Sequence, residues 1–358
     1  MSAVQDLLRE DLRGFAGYRS ARSEGAEGAI WLNANEAPCP SAIDPGGEVR
    51  RYPQPQPAGL CAALADLYGC EPAQLLVGRG SDEAIDLLVR AYCRPGLDAV
   101  VVTPPVFGMY AVSARLQGAR LVEVPLVDAV DDFKVDFRAV AAIARATTAK
   151  LVFLCSPGNP AGGALPAADV IELTQSLEGI ALVVVDEAYI EFADAPSLVD
   201  SVAAHPNLAV LRTLSKAHAL AGARIGCLVA DAGVVAALRC CQAPYPIPAP
   251  SAGLALQALA PTVLAVTRAN TRQTCIERDR LRSVLSRLPC VRRVYPSQAN
   301  FLLVRFMDAA IAMQRLLQAG IVVRDMRHMP QLQDALRISI GGEAQNQQVV
   351  DTLRGVRP

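Results

Sequence analysis

Apolar residues fall along this chain in two regimes. Between residues 75 and 229 they gather in short, mainly apolar runs at 75–77, 99–102, 120–124, 150–154, 180–185, 208–212 and 225–229. A strand covered by helices on both faces needs an apolar residue at almost every position, so such runs predict a buried, mostly parallel sheet. Between the runs, residues 59–68, 82–92, 107–116, 137–144 and 167–177 carry apolar side chains at helical spacing. Strand and helix in alternation predict a three-layer α/β/α large domain. After residue 251 the character changes. A long helix, broken or continuous, is expected over 252–286. Strands follow at 291–295 and 301–304, a helix at 309–319, strands at 321–323 and 336–340, and a helix at 343–354. That order predicts a smaller α+β domain.

The first fifty residues read differently. Leucines and charges at helical spacing predict a short amphipathic helix over 4–15. A loop over 17–28, a short strand at 30–32 and a second loop at 38–47 follow. Pro53, Pro55 and Pro57 hold the segment around Tyr52 extended. The expected division is 1–50 as an N-terminal segment joining the small domain, 51–255 as the large domain and 256–358 as the small one.

Composition narrows the class. With 52% hydrophobic and 19% charged residues, the chain can bury a large core. A net charge of −1 gives no general attraction to nucleic acid or to an anionic membrane. Ten cysteines form no CxxC pair and only three histidines are present, which argues against a zinc site. Cysteines inside apolar runs pack as small hydrophobes, and together they point to a reducing, cytoplasmic location. The first ten residues include acids and lack an apolar stretch, unlike a signal peptide. Prolines interrupt the uncharged stretch after Cys240, which argues against a membrane helix.

Four stretches carry chemistry, each at the end of a predicted strand. Gly78-Arg79-Gly80-Ser81-Asp82-Glu83 opens a helix, with Ser81 as its expected cap, and its backbone amides suit an anion. Glu83 stands where a dinucleotide fingerprint needs its third glycine. An unliganded capping turn is the plainer alternative. Cys155-Ser156-Pro157-Gly158-Asn159-Pro160 holds an asparagine between prolines, with Asn159-Pro160 a candidate cis bond, though Gly, Asn and Pro also favour an ordinary turn. Asp186-Glu187-Ala188-Tyr189 places acids and a tyrosine after a buried strand; Asp186 could bind a metal, pair with a cationic ring nitrogen or merely cap a helix, and the lack of histidines or further acids nearby favours the ring nitrogen. Lys216, following Leu214 and Ser215 and eight residues before Arg224, could lose its proton and attack carbonyls if desolvated. In open α/β sheets ligands bind at these strand ends. A lysine, an acid, oxygen donors and a phosphate cup together meet the needs of pyridoxal phosphate.

The order GxGxDE, SPxNPxG, DEAYxEF, RTLSKAxALAGxRxG and LRIxxG resembles the fold-type I aminotransferases of the aspartate aminotransferase superfamily. Trp31-Leu32-Asn33-Ala34-Asn35-Glu36, Arg51-Tyr52-Pro53, Ala243-Pro244-Tyr245-Pro246 and Leu336-Arg337-Ile338 are most similar to its histidinol-phosphate aminotransferase family, over roughly residues 5–355. The resemblance implies pyridoxal 5'-phosphate as cofactor and amino transfer between L-histidinol phosphate and 2-oxoglutarate in histidine biosynthesis. It implies Lys216 as the Schiff-base and proton-moving residue, and Asp186 on the pyridinium nitrogen. Asn159 and Tyr189 would bond the phenolate oxygen. Gly80, Ser81, Asp82, Ser215 and Arg224 would surround the phosphate, and Phe107 would stack on the ring. Tyr52 would reach the partner's cofactor in a homodimer. Tyr18, Asn35, Asn159, Arg324 and Arg337 would contact the substrates, Arg337 taking glutamate and histidinol phosphate in turn. The chain departs from the family pattern in having Phe107 for a tyrosine, Gly158 and Ala161 for Asn and Thr, and Ala299 for a hydroxyl residue. A threonine-phosphate decarboxylase or an aromatic aminotransferase on the same fold is the nearest alternative.

Overall fold

The structure, a computed structural model, describes residues 4–18, 20–21, 28–129 and 132–356. Thirteen strands are found among them. β1 (Leu75–Gly78), β2 (Ala99–Val102), β3 (Arg120–Glu123), β6 (Leu151–Cys155), β7 (Leu182–Asp186), β8 (Leu208–Thr213) and β9 (Gly226–Val229) form one sheet, in the order β1-β9-β8-β7-β6-β2-β3. β4 (Val127–Asp128) and β5 (Phe133–Lys134) make a small antiparallel ribbon. In the large sheet only β9 runs against its neighbours. The expected mostly parallel α/β/α layering is therefore present.

The period of the strands explains both layers. Along β8, Leu208 and Val210 face one core and Ala209 and Leu211 the other. The first core is closed by helices Ala58–Tyr68, Phe137–Ala146 and Ala167–Ser176, the second by Ser81–Tyr92, Met109–Gln117 and Ala232–Cys241. Side chains alternate across a strand, so burial on both faces demands the mainly apolar runs.

The second sheet is antiparallel, ordered β10 (Val291–Val294), β11 (Phe301–Phe306), β13 (Ala335–Ser339) and β12 (Arg324–Asp325). It packs against helices Ala309–Gln318 and Glu343–Arg354 and the end of Pro261–Leu285. The two cores divide along that last helix: Leu264 packs on the large domain, Leu281 and Leu285 on the small one.

Several expectations change. The helix expected over 4–15 is two 3-10 turns, Gln5–Leu7 and Glu10–Leu12. Val4 and Leu7 are buried with Leu76 and Ile85 in the large domain, so this stretch does not join the small one. Arg9 ties it there, donating from its amide to the Ala91 carbonyl (3.1 Å) and from Nη1 to that of Arg90 (3.0 Å). Carbonyls in the last turn of a helix lack intrahelical partners, and the N-terminal chain supplies them. The strand expected at 30–32 is absent, with Ile30 and Leu32 81% and 90% exposed. The one at 321–323 is displaced, its pairing beginning at Arg324. The helix expected over 252–286 is broken into Ala249–Ala258 and Pro261–Leu285, bent by 74°. Pro261 has no amide hydrogen to continue the first helix and suits the first turn of the second. Much of the loop expected over 17–28 lies outside the described residues.

Candidate active site

Four parallel strands end on one cleft, and each delivers a polar group to it. Beyond β1 the helix Ser81–Tyr92 opens, with Gly80 at its N-cap at φ +81°. A Cβ on Gly80 would come 2.5 Å from Arg224 Nη2. Glycine is thus needed twice over, for the backbone and for the approach of the guanidinium. Ser81 is the first helical residue rather than the cap, and its side chain makes no capping bond. Arg224, itself left-handed at φ 55°, ion-pairs with Asp82 at 3.0 Å. Thr213 Oγ1 donates to Ser215 Oγ at 3.0 Å and fixes that hydroxyl beside the lysine loop. Unpaired helix amides, two hydroxyls and a guanidinium make a cup for a dianion.

β7 ends in Asp186, which is 3% exposed. Its Oδ2 accepts from the Tyr110 hydroxyl at 2.8 Å and its Oδ1 from the Ala188 amide at 3.1 Å. Among the described residues no cation stands within bonding reach, and burial pushes its pKa up to about 6, against the pull of those two donors. β8 leads to Lys216, whose Nζ lies 5.5 Å from the centre of the Tyr189 ring. Burial lowers the lysine pKa and Arg337 lowers it further, while Asp186 and Asp82 oppose them. A neutral amine is thereby brought closer to ordinary pH.

The loop after β6 brings Asn159, whose Nδ2 donates to the Tyr189 hydroxyl at 3.3 Å. Its Oδ1 accepts from Arg337 Nη1. Arg337 comes from β13 of the small sheet and also lies over the Phe301 ring, 5.1 Å from its centre. Its direct cross-strand neighbour is Arg324. Burial lowers the Arg337 pKa, Tyr189 opposes this and Arg324 adds to it. Like charges placed opposite each other in a sheet are destabilising, so two arginines in register prepare a site for an anion. The Asn159-Pro160 bond is cis, as are Ser156-Pro157 and Pro104-Pro105.

The cleft therefore gathers Gly80, Ser81, Asp82, Phe107, Asn159, Asp186, Tyr189, Ser215, Lys216 and Arg224, with Arg337 reaching in through Asn159. Arg324 is near but exposed. Three expected residues lie outside the cleft formed by this chain. Tyr52, half exposed, stacks on Tyr245 at 4.6 Å; Tyr18 is 72% exposed; Asn35 lines a separate surface pocket with Tyr52. One participant was missed: Tyr110 stacks on Phe153 at 4.8 Å and braces Asp186. Its only sequence signal is its place one helical turn after Phe107, which also touches it edge-on.

Comparison with known proteins shows the family. Residues 28–353 match the family model of class I and II aminotransferases. A histidinol-phosphate aminotransferase of Xanthomonas euvesicatoria pv. vesicatoria (strain 85-10) is 60% identical over 353 residues, 99% of this chain and 97% of that one. The crystal structure of a histidinol-phosphate aminotransferase from Sinorhizobium meliloti, in complex with pyridoxal-5'-phosphate, superposes with a TM-score of 0.78. It is 27% identical, covering 97% of this chain and 96% of that one. An L-threonine-O-3-phosphate decarboxylase from Porphyromonas gingivalis shares the fold at a TM-score of 0.72 and 22% identity, over 87% and 92% of the two chains. The chain belongs to the class I and II aminotransferases and, within them, to the histidinol-phosphate aminotransferase family.

Proposed function

We propose that this protein transfers the amino group of L-histidinol phosphate to 2-oxoglutarate, giving imidazole-acetol phosphate and L-glutamate, with pyridoxal 5'-phosphate as cofactor. The observation that carries this reading is the presence of two separate anion sites around one lysine. The cup of Ser81, Ser215 and Arg224 suits the cofactor's phosphate. The Arg337–Arg324 pair suits a second anion, the phosphate of one substrate and the carboxylate of the other.

The residues fit the cofactor on physical grounds. Asp186 is a buried carboxylate with hydrogen-bond donors but no cation beside it, and a protonated ring nitrogen would supply that charge. Lys216 would hold the cofactor through its ε-amine, Asn159 and Tyr189 would bond its phenolate oxygen, and Phe107 would cover its ring. Once bound, pyridoxal phosphate supplies an electron sink for the bond broken at the substrate's α-carbon.

The rest is the work of this chain's side chains. Lys216 Nζ, freed by the incoming amine, takes the proton from the substrate's α-carbon and would deliver it to the cofactor carbon that bore the aldehyde, acting as base and then as acid. Its lowered pKa keeps the amine available for that task. Asp186 would stay ionised beside a cationic ring nitrogen and so fix how the ring sits. Arg337 clamps each donor in turn, because a planar guanidinium matches both carboxylate and phosphate. We place Tyr52 at the partner's site in a homodimer, a reading supported by its exposure outside its own cleft. Ten free cysteines suit the cytoplasm.

The test is an amino-transfer assay with 2-oxoglutarate, comparing histidinol phosphate, phenylalanine and threonine phosphate. The expected result is the highest kcat/KM for histidinol phosphate. Carbon dioxide release from threonine phosphate, or preference for phenylalanine, would move the assignment to another activity of this fold.

A further inference from the structure

Asn159 and Tyr189 of the large domain meet Arg337 of the small one across the gap between them. A buried cation fastens that gap close by. Arg278 lies on helix Pro261–Leu285, three residues before Leu281 of the small-domain core, and is buried. Its Nη1 donates to the Phe192 carbonyl of the large domain at 3.0 Å and to the Ala299 carbonyl of the small domain at 3.3 Å. Phe192 closes the 3-10 turn Ile190–Phe192, which follows Tyr189 directly. The last carbonyls of a helical turn lack partners within it, and buried carbonyls need them. One guanidinium nitrogen supplies a carbonyl of each domain. Cys275 Sγ, three residues earlier on the same helix, joins it on the Phe192 carbonyl at 3.4 Å.

Gln298 makes two further crossings at the same place. Its amide donates to the Gly162 carbonyl at 2.7 Å, in the loop that carries Asn159. Its Oε1 accepts from the Asp194 amide at 3.1 Å, in the loop that follows Tyr189. Residues 297–301 therefore rest on both large-domain loops that shape the anion side of the cleft, and they lead straight into β11. There Phe301 meets the Tyr189 ring edge-on at 5.1 Å and lies beneath the Arg337 guanidinium, while Leu303 is the partner of Arg337 in register. Ala188, Tyr189, Phe192, Ala299 and Phe301 share one small buried cluster. A shift of Ala299 relative to Phe192 carries Phe301 and Arg337 away from Asn159, and hydrogen bonds tolerate little such movement.

We propose that Arg278 is a positioning residue for the second anion site: by joining the Phe192 and Ala299 carbonyls it holds Phe301, and through it Arg337, against Asn159 and Tyr189. The inference rests on the reading that Arg337 receives a substrate's anion, and not on which substrate brings it. The side-chain bonds of Arg278 go to the two carbonyls and to Asp279, so its effect on the anion passes through other residues.

The test compares two reagents on the holoenzyme. Aminooxyacetate carries a carboxylate and O-methylhydroxylamine carries none; each forms an oxime with the bound cofactor and releases the Lys216 amine. The ratio of their second-order rates, followed by loss of the visible cofactor band, reports the grip on the carboxylate. The unaltered enzyme should favour aminooxyacetate by about tenfold or more. Arg278→Met should bring the ratio down about tenfold, with the rate for O-methylhydroxylamine little changed. Arg278→Lys keeps a cation and a donor nitrogen, and should restore the ratio to within about threefold of the unaltered value. Gln298→Ala breaks a neighbouring crossing at a half-buried position and should lower the ratio about threefold, which keeps the test open if Arg278→Met does not fold. In an Arg337→Ala background the ratio should be near unity, and adding Arg278→Met should not move it. If Arg278→Met slows both reagents alike and leaves the ratio unaltered, Arg278 only stabilises the fold and the proposal is overturned. A further fall in the Arg337→Ala background overturns it as well. A ratio near unity in the unaltered enzyme overturns the anion site itself, and this inference with it. Amino transfer from histidinol phosphate, measured separately, tests the substrate and does not bear on the ratio.

Discussion

Tyr110 donates a hydrogen bond of 2.8 Å to Asp186 in the interior of the large domain. Among the described residues the hydroxyl is one of two protein donors on that carboxylate, the other being the Ala188 amide. Hydrogen bonds to a charged group contribute about 1.5–3 kcal/mol, which corresponds to roughly one or two pKa units. Removing the donor in Tyr110→Phe lets the Asp186 pKa rise. The acid limb of the kcat/KM profile should then move to higher pH by about one to two units. A profile superimposable on that of the unaltered enzyme would show that Tyr110 merely fills space.

Asp186 also carries a cost in the cofactor-free protein. Its pKa is raised from an ordinary 3.8 to about 6 by burial. Below the lower value, folded and unfolded chains both hold the proton. Between the two, the unfolded chain releases its proton first, so stability falls as pH rises through this window and is level above it. The penalty is on the order of 3 kcal/mol. Cofactor-free Asp186→Asn should therefore be the more stable protein, by a margin that grows from about pH 4 to about pH 6. Urea midpoints across that range measure the margin; a constant difference would count against a buried, unpaired carboxylate.

Lys216→Ala should fold, because among the described residues the ε-amine contacts only the Tyr189 ring, at 5.5 Å from its centre. Borohydride treatment of the holoenzyme should leave a cofactor-sized mass on the peptide containing Lys216, and none on the variant. Amino transfer should drop by roughly 10²- to 10⁴-fold or more, the usual reach of a positioned acid–base group. A trapped adduct elsewhere in the variant would identify a different lysine.

Arg337→Ala should raise KM for both glutamate and histidinol phosphate by about ten- to a hundredfold, from the loss of a charged hydrogen-bonding partner. Arg324→Ala should raise KM for histidinol phosphate more than for glutamate, because a phosphate dianion calls on both cations. Since the pair oppose each other across β12 and β13, this second change should leave the melting temperature unchanged or higher. Steady-state kinetics and thermal melts of the two variants separate these effects.

How much could be read in advance follows from where each signal resides. Strands β6, β7 and β8 were visible because both of their faces are buried, and Asp186 and Lys216 were visible as charges ending such runs. Local composition carried no trace of Tyr110, which reaches Asp186 over a separation of 76 residues. Ile30 and Leu32 mimic a strand, yet no ladder lies beside them and they stand exposed. The turns at Gln5–Leu7 and Glu10–Leu12 depend on the end of helix Ser81–Tyr92, a tertiary contact that no window of neighbouring residues contains. Ser81 had the chemistry of a cap, but Gly80 takes that place because Arg224 must pass there.

Helix Pro261–Leu285 is a 25-residue rod, about 37 Å long at the usual rise. Its root lies on the large domain and its tip is built into the small one. A tilt of about 3° at the root swings the tip by about 2 Å over that length. Arg337 and Asn159 stand on opposite banks of the gap that this lever spans. A displacement of that size breaks a hydrogen bond, so the grip on the substrate's anion is set by the angle of one axle far from the anion itself.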